Sequence, residues 1–264
     1  LSLKNKIKSY WELTKPDITL LVLISTLLGY FLGAQFLGES ILGNPSVLIY
    51  LMIGSYLTSS GVAILNEYIE RDQDATMNRT NTRPLPSGRI SPKDALIFGI
   101  SVSVMGVIDL ALLVNLYCGI LSFITIAIYL FVYTPIKQKT PWNTLVGAIP
   151  GALPPVGGWL AATGNITYQT WVVFCLLFFW QIPHFLSIAW LYRTDYKKGG
   201  FKMFMIDNKD RFQSNILLVG FCILTLIFSL FLIPTPIASI TLLSICATII
   251  MGLWYVVSAL KMAL

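Results

Sequence analysis

The strongest constraint on this chain is where its charges are missing. Four stretches, Ile18–Gly38, Ser40–Asn66, Thr140–Tyr192 and Phe212–Leu260, contain no Asp, Glu, Lys or Arg. A helix crossing a hydrocarbon core of ~30 Å needs about 20 apolar residues. The first two stretches each hold one such helix, and the last two, at 53 and 49 residues, each hold two. Only 11% of the residues are charged, against roughly 25% in soluble domains. In water such a chain would expose large apolar patches. The fold class that follows is all-α, a polytopic membrane helix bundle.

Turn residues divide the apolar material into eight spans, near 17–37, 45–65, 92–114, 117–134, 143–163, 168–190, 213–233 and 237–260. Gly43-Asn44-Pro45, Thr163-Gly164-Asn165 and Pro234-Thr235-Pro236 are short connectors of helix-breaking residues. The connectors at 66–91 and 191–212 are long, polar and charged. No small-residue cleavage site follows the first apolar segment, so that segment is expected to stay in the protein. All 18 Lys and Arg lie in the N-terminal segment, in 66–93, 135–142 or 191–212, or after the last span. The alternate connectors hold none, which puts both termini and both long loops on the cytoplasmic side. The net charge of +6 is therefore a topology signal, and no nucleic-acid partner is expected. Each half of the chain places a long charged loop after its second span, the layout of two four-helix halves around a cytoplasm-facing cavity. Cys118, Cys175, Cys222 and Cys246 stand singly in apolar runs and read as small core residues, not a metal or redox site.

The chemistry concentrates after span 2, in Asn66-Glu67-Tyr68-Ile69-Glu70-Arg71-Asp72-Gln73-Asp74. Asn66, Glu70 and Asp74 are four apart and share one face of a helix; Asp72 lies off that line and Arg71 flanks it. Carboxylates this close repel unless a cation lies between them, and hard oxygen donors suit Mg²⁺, which is usually held by one or two carboxylates plus substrate phosphates. A solvated helix end is the plainer reading of such a cluster. Against it, the cluster continues directly from membrane-depth helix and Arg79, Arg83 and Arg89 follow in a proline-stiffened loop. The arginine fork matches phosphate oxygens, and Arg79 and Arg83 are assigned to substrate. Asp109, near the external end of span 3, reads as structural. His184 is the only histidine and lies within span 6. An ionisable group at that depth is a functional candidate, with a hydrogen-bonded structural histidine as the alternative.

The Asn-x-x-x-Glu-x-x-x-Asp helix with its Arg-Pro loop resembles the intramembrane prenyltransferases of the UbiA superfamily. Arg79-Thr80-x-x-Arg83-Pro84-Leu85-Pro86, Trp142-Asn143-Thr144 through Pro154-Pro155, Trp180-Gln181-Ile182-Pro183-His184-Phe185, and Trp190 through Gly200 resemble its haem branch, the protohaem IX farnesyltransferases (haem O synthases). The likeness runs from Lys15 onward. It implies one prenyltransferase domain over 1–264, with Mg²⁺ as cofactor. It implies transfer of farnesyl from farnesyl diphosphate to a vinyl group of protohaem IX with addition of water, giving haem O. It also implies that Asn66, Glu70, Asp72, Asp74 and Asp195 serve the metal, with Arg71, Arg79, Arg83, Tyr133, Lys137, Arg193 and Lys198 on the diphosphate. Asn66, Glu70, Asp74, His184 and Asp195 are then the catalytic set, His184 as iron ligand or proton carrier.

This chain has Glu70 where the superfamily more often has Asp. In the second loop Asp195 lacks an acid four residues away on either side, the thinner cluster of the haem branch. The resemblance implies nine helices against the eight read here, and the ninth would begin just after Lys261, where the sequence stops at Leu264, so the ninth helix is expected to be missing from this chain. The implied location is the plasma membrane or the mitochondrial inner membrane. The implied partners are the lipid bilayer and, downstream, haem A synthase or terminal oxidase assembly. The rival readings are a prenyltransferase acting on an aromatic quinone precursor and, from a different class, a membrane transporter.

Overall fold

A computed structural model describes residues 2–205, 211–231 and 249–257. The connector 234–236, most of the eighth span and Cys246 lie outside the described residues. The polypeptide opens with α1 (Leu3–Leu13) and α2 (Pro16–Phe36), followed by α3 (Pro45–Ile69) and a single turn, α4 (Arg71–Asp74). Helix α5 (Pro92–Asp109) runs on into a π-helical stretch, Leu110–Val114. Helix α6 (Leu116–Ala127) does the same through Ile128–Tyr133 and ends in α7 (Thr134–Ile136). The second half holds α8 (Asn143–Thr163), α9 (Tyr168–Leu191), a short α10 (Arg193–Lys198) and α11 (Arg211–Phe231). Residues 249–257 are also helical.

Among the described residues seven helices are long and apolar enough to cross a membrane; the chain is an integral membrane protein. Their bounds follow the turn residues. Asn44 accepts the Val47 N–H and is followed by Pro45, Ser91 accepts the Asp94 N–H and is followed by Pro92, and Asn115 accepts the Cys118 N–H. All three are N-caps, the first two with proline at the first helical position. Gly164 closes α8 at φ +70°, a left-handed cap that glycine adopts without strain. Among the described residues the one end shifted by more than two residues is that of α3, which continues to Ile69 because Asn66 and Glu67 stay helical and buried.

Helix α2 packs on both α3 and α8, α3 on α5, α8 on α9, and α9 on α11. The run α2–α3–α5 is thus repeated as α8–α9–α11, with the first helices of the two halves against each other. That central crossing is tight. A Cβ on Gly29 would strike the Pro155 carbonyl, and one on Gly158 would strike that of Thr26. Without a hydrophobic drive between helices in lipid, close backbone approach of this kind holds the bundle through van der Waals contact. Pro150, Pro154 and Pro155 sit inside α8, where they interrupt the hydrogen-bond ladder but leave a smooth, small-residue face for α2.

Candidate functional site

The polar residues gather at one end of the bundle, where α3, α6 and α9 end and α2 and α8 begin. Glu70 leaves helical geometry at φ −93°, ψ 9°, so the motif is two helical pieces hinged at Glu70 rather than one helix. The ladder nevertheless carries across the hinge: Glu70 N–H donates to Asn66 O at 2.9 Å and Asp74 N–H to Glu70 O at 2.8 Å. Asn66, Glu70 and Asp74 therefore stay on one side, and all three are buried. Asn66 Nδ2 donates to Thr134 Oγ1 at 3.3 Å, which turns its carbonyl oxygen away from α7.

Both carboxylates hold a cation of the protein. Arg83 Nη1 lies 2.7 Å from Asp74 Oδ2, and Lys137 Nζ lies 2.8 Å from Glu70 Oε1. Arg83 is carried by a loop pinned at both ends. Thr80 Oγ1 donates to Asp74 O at 2.8 Å, and Leu85 and Ile90 are buried with Leu13, Ile64 and Ala95. Lys137 follows the π-helical stretch of α6, whose extra residue per turn brings Tyr133 beneath the ammonium at 4.5 Å; π segments of this kind recur at functional sites. The Tyr133 ring rests on Gly147 of α8, where no Cβ would fit. Burial alone would lower the Lys137 pKa, but Tyr133 and Glu70 beside it hold it above the usual lysine value.

The second half contributes a brace. Asp195 Oδ2 accepts the backbone N–H of Arg79 at 3.1 Å and Oδ1 that of Asn78 at 3.4 Å. The Arg79 guanidinium then lies over the Tyr192 and Tyr196 rings, at 4.7 and 5.5 Å, and donates to Tyr196 Oη. Further along, Lys202 N–H donates to Lys137 O at 2.8 Å, while Asn143 Nδ2 bridges Thr140 O and Lys202 O. Phe201 thereby reaches 5.8 Å from the Lys137 ammonium.

Several expected site residues are placed elsewhere. The Asp72 side chain is 81% exposed and faces Arg71 at 3.8 Å, because the break at Glu70 turns it outward. Arg71 itself donates to Tyr68 O. Asp195 is buried and accepts two backbone N–H groups of the first loop, which makes it a loop brace. Arg193 donates to Trp190 O and lies over the Trp190 ring, and Lys198 is exposed. His184 is exposed on α9, stacked on Trp180 at 5.3 Å and 11° and 6.0 Å from the Phe185 ring. Arg89 forms a two-pronged pair with Glu12 of α1.

Two residues join the site without having been singled out. Glu67 is 1% exposed and its Oε1 has no hydrogen-bond partner. Lys15 lies in the field of Glu67, Glu70, Asp74 and Arg83. Its position directly before the first span was the available signal, and a positive-inside lysine explains that position equally well.

Among the described residues no three acids, histidines or cysteines converge on one ion position. Asn66, Glu70 and Asp74 nonetheless fit Mg²⁺. They are hard oxygen donors, buried and on one side, and two carboxylates suffice where substrate phosphate and water complete the octahedron.

A membrane helix bundle with buried carboxylates and strong cations at one rim is built to hold an anionic headgroup on a lipid. The UbiA prenyltransferase family matches residues 22–263, and the chain belongs to it. It is 42% identical to the protoheme IX farnesyltransferase of Solibacter usitatus, over 97% of this chain and 89% of that one. It is 41% identical to that of Salinibacter ruber, over 81% and 74%. The fold is shared with solved structures. An apo UbiA homolog from Aeropyrum pernix superposes with TM-score 0.73 at 17% identity, over 92% of this chain and 87% of that one. A UbiA homolog from Archaeoglobus fulgidus bound to DMAPP and Mg²⁺ superposes with TM-score 0.68 at 16% identity, over 97% and 85%.

Proposed function

We propose that this protein transfers the farnesyl group of farnesyl diphosphate to a vinyl group of protohaem IX, with water completing the addition to give haem O. The observation that carries this reading is the double rim of Asp74 with Arg83 and Glu70 with Lys137. Buried charges of both signs at the membrane surface suit a diphosphate that arrives with a divalent cation. The names of the most similar relatives supply the farnesyl and haem specificity.

Mg²⁺, held by Asn66, Glu70 and Asp74, would supply Lewis-acid neutralisation of charge building on the leaving group. Arg83, Lys137 and Arg79 bind the diphosphate oxygens and are already oriented, so little reorganisation is needed as charge develops. The allylic C–O bond breaks with its electron pair leaving on pyrophosphate. The vinyl π electrons close on the allylic carbon, and water adds to the resulting cation and loses a proton. The apolar walls of α8 and α9 limit earlier capture of the cation by water. Asp195 keeps Arg79 in place from the opposite half. His184, exposed on α9 beside Trp180, is assigned to the haem, as iron ligand or proton carrier.

The same reading treats 1–264 as one domain, with the rim, both long loops and the termini on the cytoplasmic side of the plasma membrane or its mitochondrial inner-membrane equivalent. Haem A synthase or terminal oxidase assembly would take the product. The test is mass spectrometry of haem extracted after incubation with Mg²⁺ and farnesyl diphosphate. A gain of one farnesyl plus one water is the expected result; unaltered haem overturns the proposal.

A further inference from the structure

Lys15 occupies a conformation that lysine avoids. It sits at φ +47°, ψ +63°, in the left-handed region, as the residue immediately before α2. A side chain with a Cβ pays for that conformation, and non-glycine residues held there cluster where the surrounding structure uses the strain. The surroundings enforce it on both sides. Leu13 is fully buried with Ile64 and Leu85, and Thr19 Oγ1 lies 3.3 Å from Ser59 Oγ. Between these two anchors the left-handed step leaves Lys15 within electrostatic reach of Glu67 at the end of α3, and of Glu70 and Asp74 beyond it.

The charges there are unevenly matched. Asp74 is taken by Arg83 and Glu70 by Lys137, while among the described residues Lys15 makes no ion pair. Glu67, in the same neighbourhood, keeps a buried oxygen without a hydrogen-bond partner. The Lys15 pKa is pulled down to about 8, by burial first and by Arg83 second, against Glu67, Glu70 and Asp74. A partly buried ammonium without a counter-ion is costly. Arg83 and Lys137 must share their carboxylates with an incoming anion, whereas Lys15 has none to give up.

We propose that Lys15 is a substrate-binding residue, its left-handed backbone holding the ammonium where it meets the diphosphate of the prenyl donor. This rests on the function proposed above. Strain is then kept for binding, and relieving it separates the two roles. Glycine adopts the left-handed region without cost, so Lys15→Gly removes the ammonium while making the backbone easier to fold.

The test is titration of the full-length protein in detergent with inorganic pyrophosphate and Mg²⁺, beside thermal unfolding of the same samples. Lys15→Gly is expected to melt at or above the parent temperature and to bind pyrophosphate at least about tenfold more weakly, as loss of one partner from a buried charge contact requires. Lys15→Arg is expected to stay within about threefold of the parent, because a cation is restored. Should Lys15→Gly fail to fold, Lys15→Gln carries the same binding expectation. Arg83→Gln serves as the reference. If it loses binding while the Lys15 variants bind as the parent does, the inference falls and the proposed function stands. If neither position matters to pyrophosphate, both fall together.

Discussion

Asp195 reaches from the second half of the protein to the first and takes the backbone N–H of Arg79 at 3.1 Å, so an acid of one loop fixes the position of an arginine in the other. The guanidinium is then steadied by Tyr192 and Tyr196. An aspartate with this role acts through Arg79. Asp195→Asn keeps one acceptor oxygen and is expected to raise KM for farnesyl diphosphate about threefold, whereas Asp195→Ala frees both N–H groups. A hydrogen bond to a charged acceptor contributes about 1.5–3 kcal/mol, so the alanine variant should raise KM by at least about tenfold. The Mg²⁺ concentration for half-maximal rate should be unchanged in both. A shift in that Mg²⁺ requirement would mark Asp195 as a ligand after all.

The Arg83–Asp74 pair makes a different forecast. Asp74 is 2% exposed, and removing its partner leaves a buried carboxylate without compensation, a loss of roughly 3–5 kcal/mol. Arg83→Ala is therefore expected to lower thermal stability as well as activity. Arg83→Lys keeps the charge and should recover stability better than rate, since an ammonium lacks the fork that meets diphosphate oxygens. Unfolding curves and initial rates on the same preparations check both halves. Equal stability of Arg83→Ala and the parent would contradict the pairing.

Much of this was legible before any coordinates. The spans could be read because apolar length has few other meanings, and Asn66, Glu70, Asp74 and Arg83 because their spacing and charge sit next to those spans; Lys137 came only with the family resemblance. The misplacements have a common cause. Asp72 and Arg71 follow a break at Glu70 that four-residue spacing does not announce. His184 lies on α9, a helix apolar on all sides, and such a helix gives no periodicity from which to tell its inner face from its outer one. The bracing by Asp195 depends on backbone groups over a hundred residues away in the chain, and Lys15 depends on a dihedral angle. Neither leaves a pattern in residue types.

Gly158 tests the central crossing of the two halves. A Cβ there meets the Thr26 carbonyl and the Tyr30 amide of α2, both backbone groups that cannot rotate aside. Gly158→Leu is expected to abolish recovery of folded protein from the membrane, since overpacking against fixed backbone exceeds the usual ~1–3 kcal/mol. Gly157→Ala, one position along, meets only Leu121 at 3.6 Å and should be recovered in parental amounts. Size-exclusion profiles of the two variants decide it. A monodisperse Gly158→Leu protein would mean that α2 and α8 are not packed this closely.

The last expectation concerns pH and follows from the depressed pKa of Lys15. In the unfolded chain the amine titrates near the ordinary lysine value of 10.5, and in the folded protein near 8. Below pH 8 both states carry the proton, and the folded state bears the full cost of a charge that is buried, then faced by Arg83, and only partly offset by Glu67, Glu70 and Asp74. Between the two values the unfolded state binds more protons than the folded one, so this residue's contribution to stability rises with pH and levels off above 10.5. Lys15→Gly lacks that contribution at every pH. Its thermal advantage over the parent should therefore be largest near pH 7 and shrink steadily toward pH 10. Melting temperatures of the pair across that range measure the difference directly, with titrations common to both proteins cancelling. A constant difference would mean that Lys15 keeps an ordinary pKa in the folded protein.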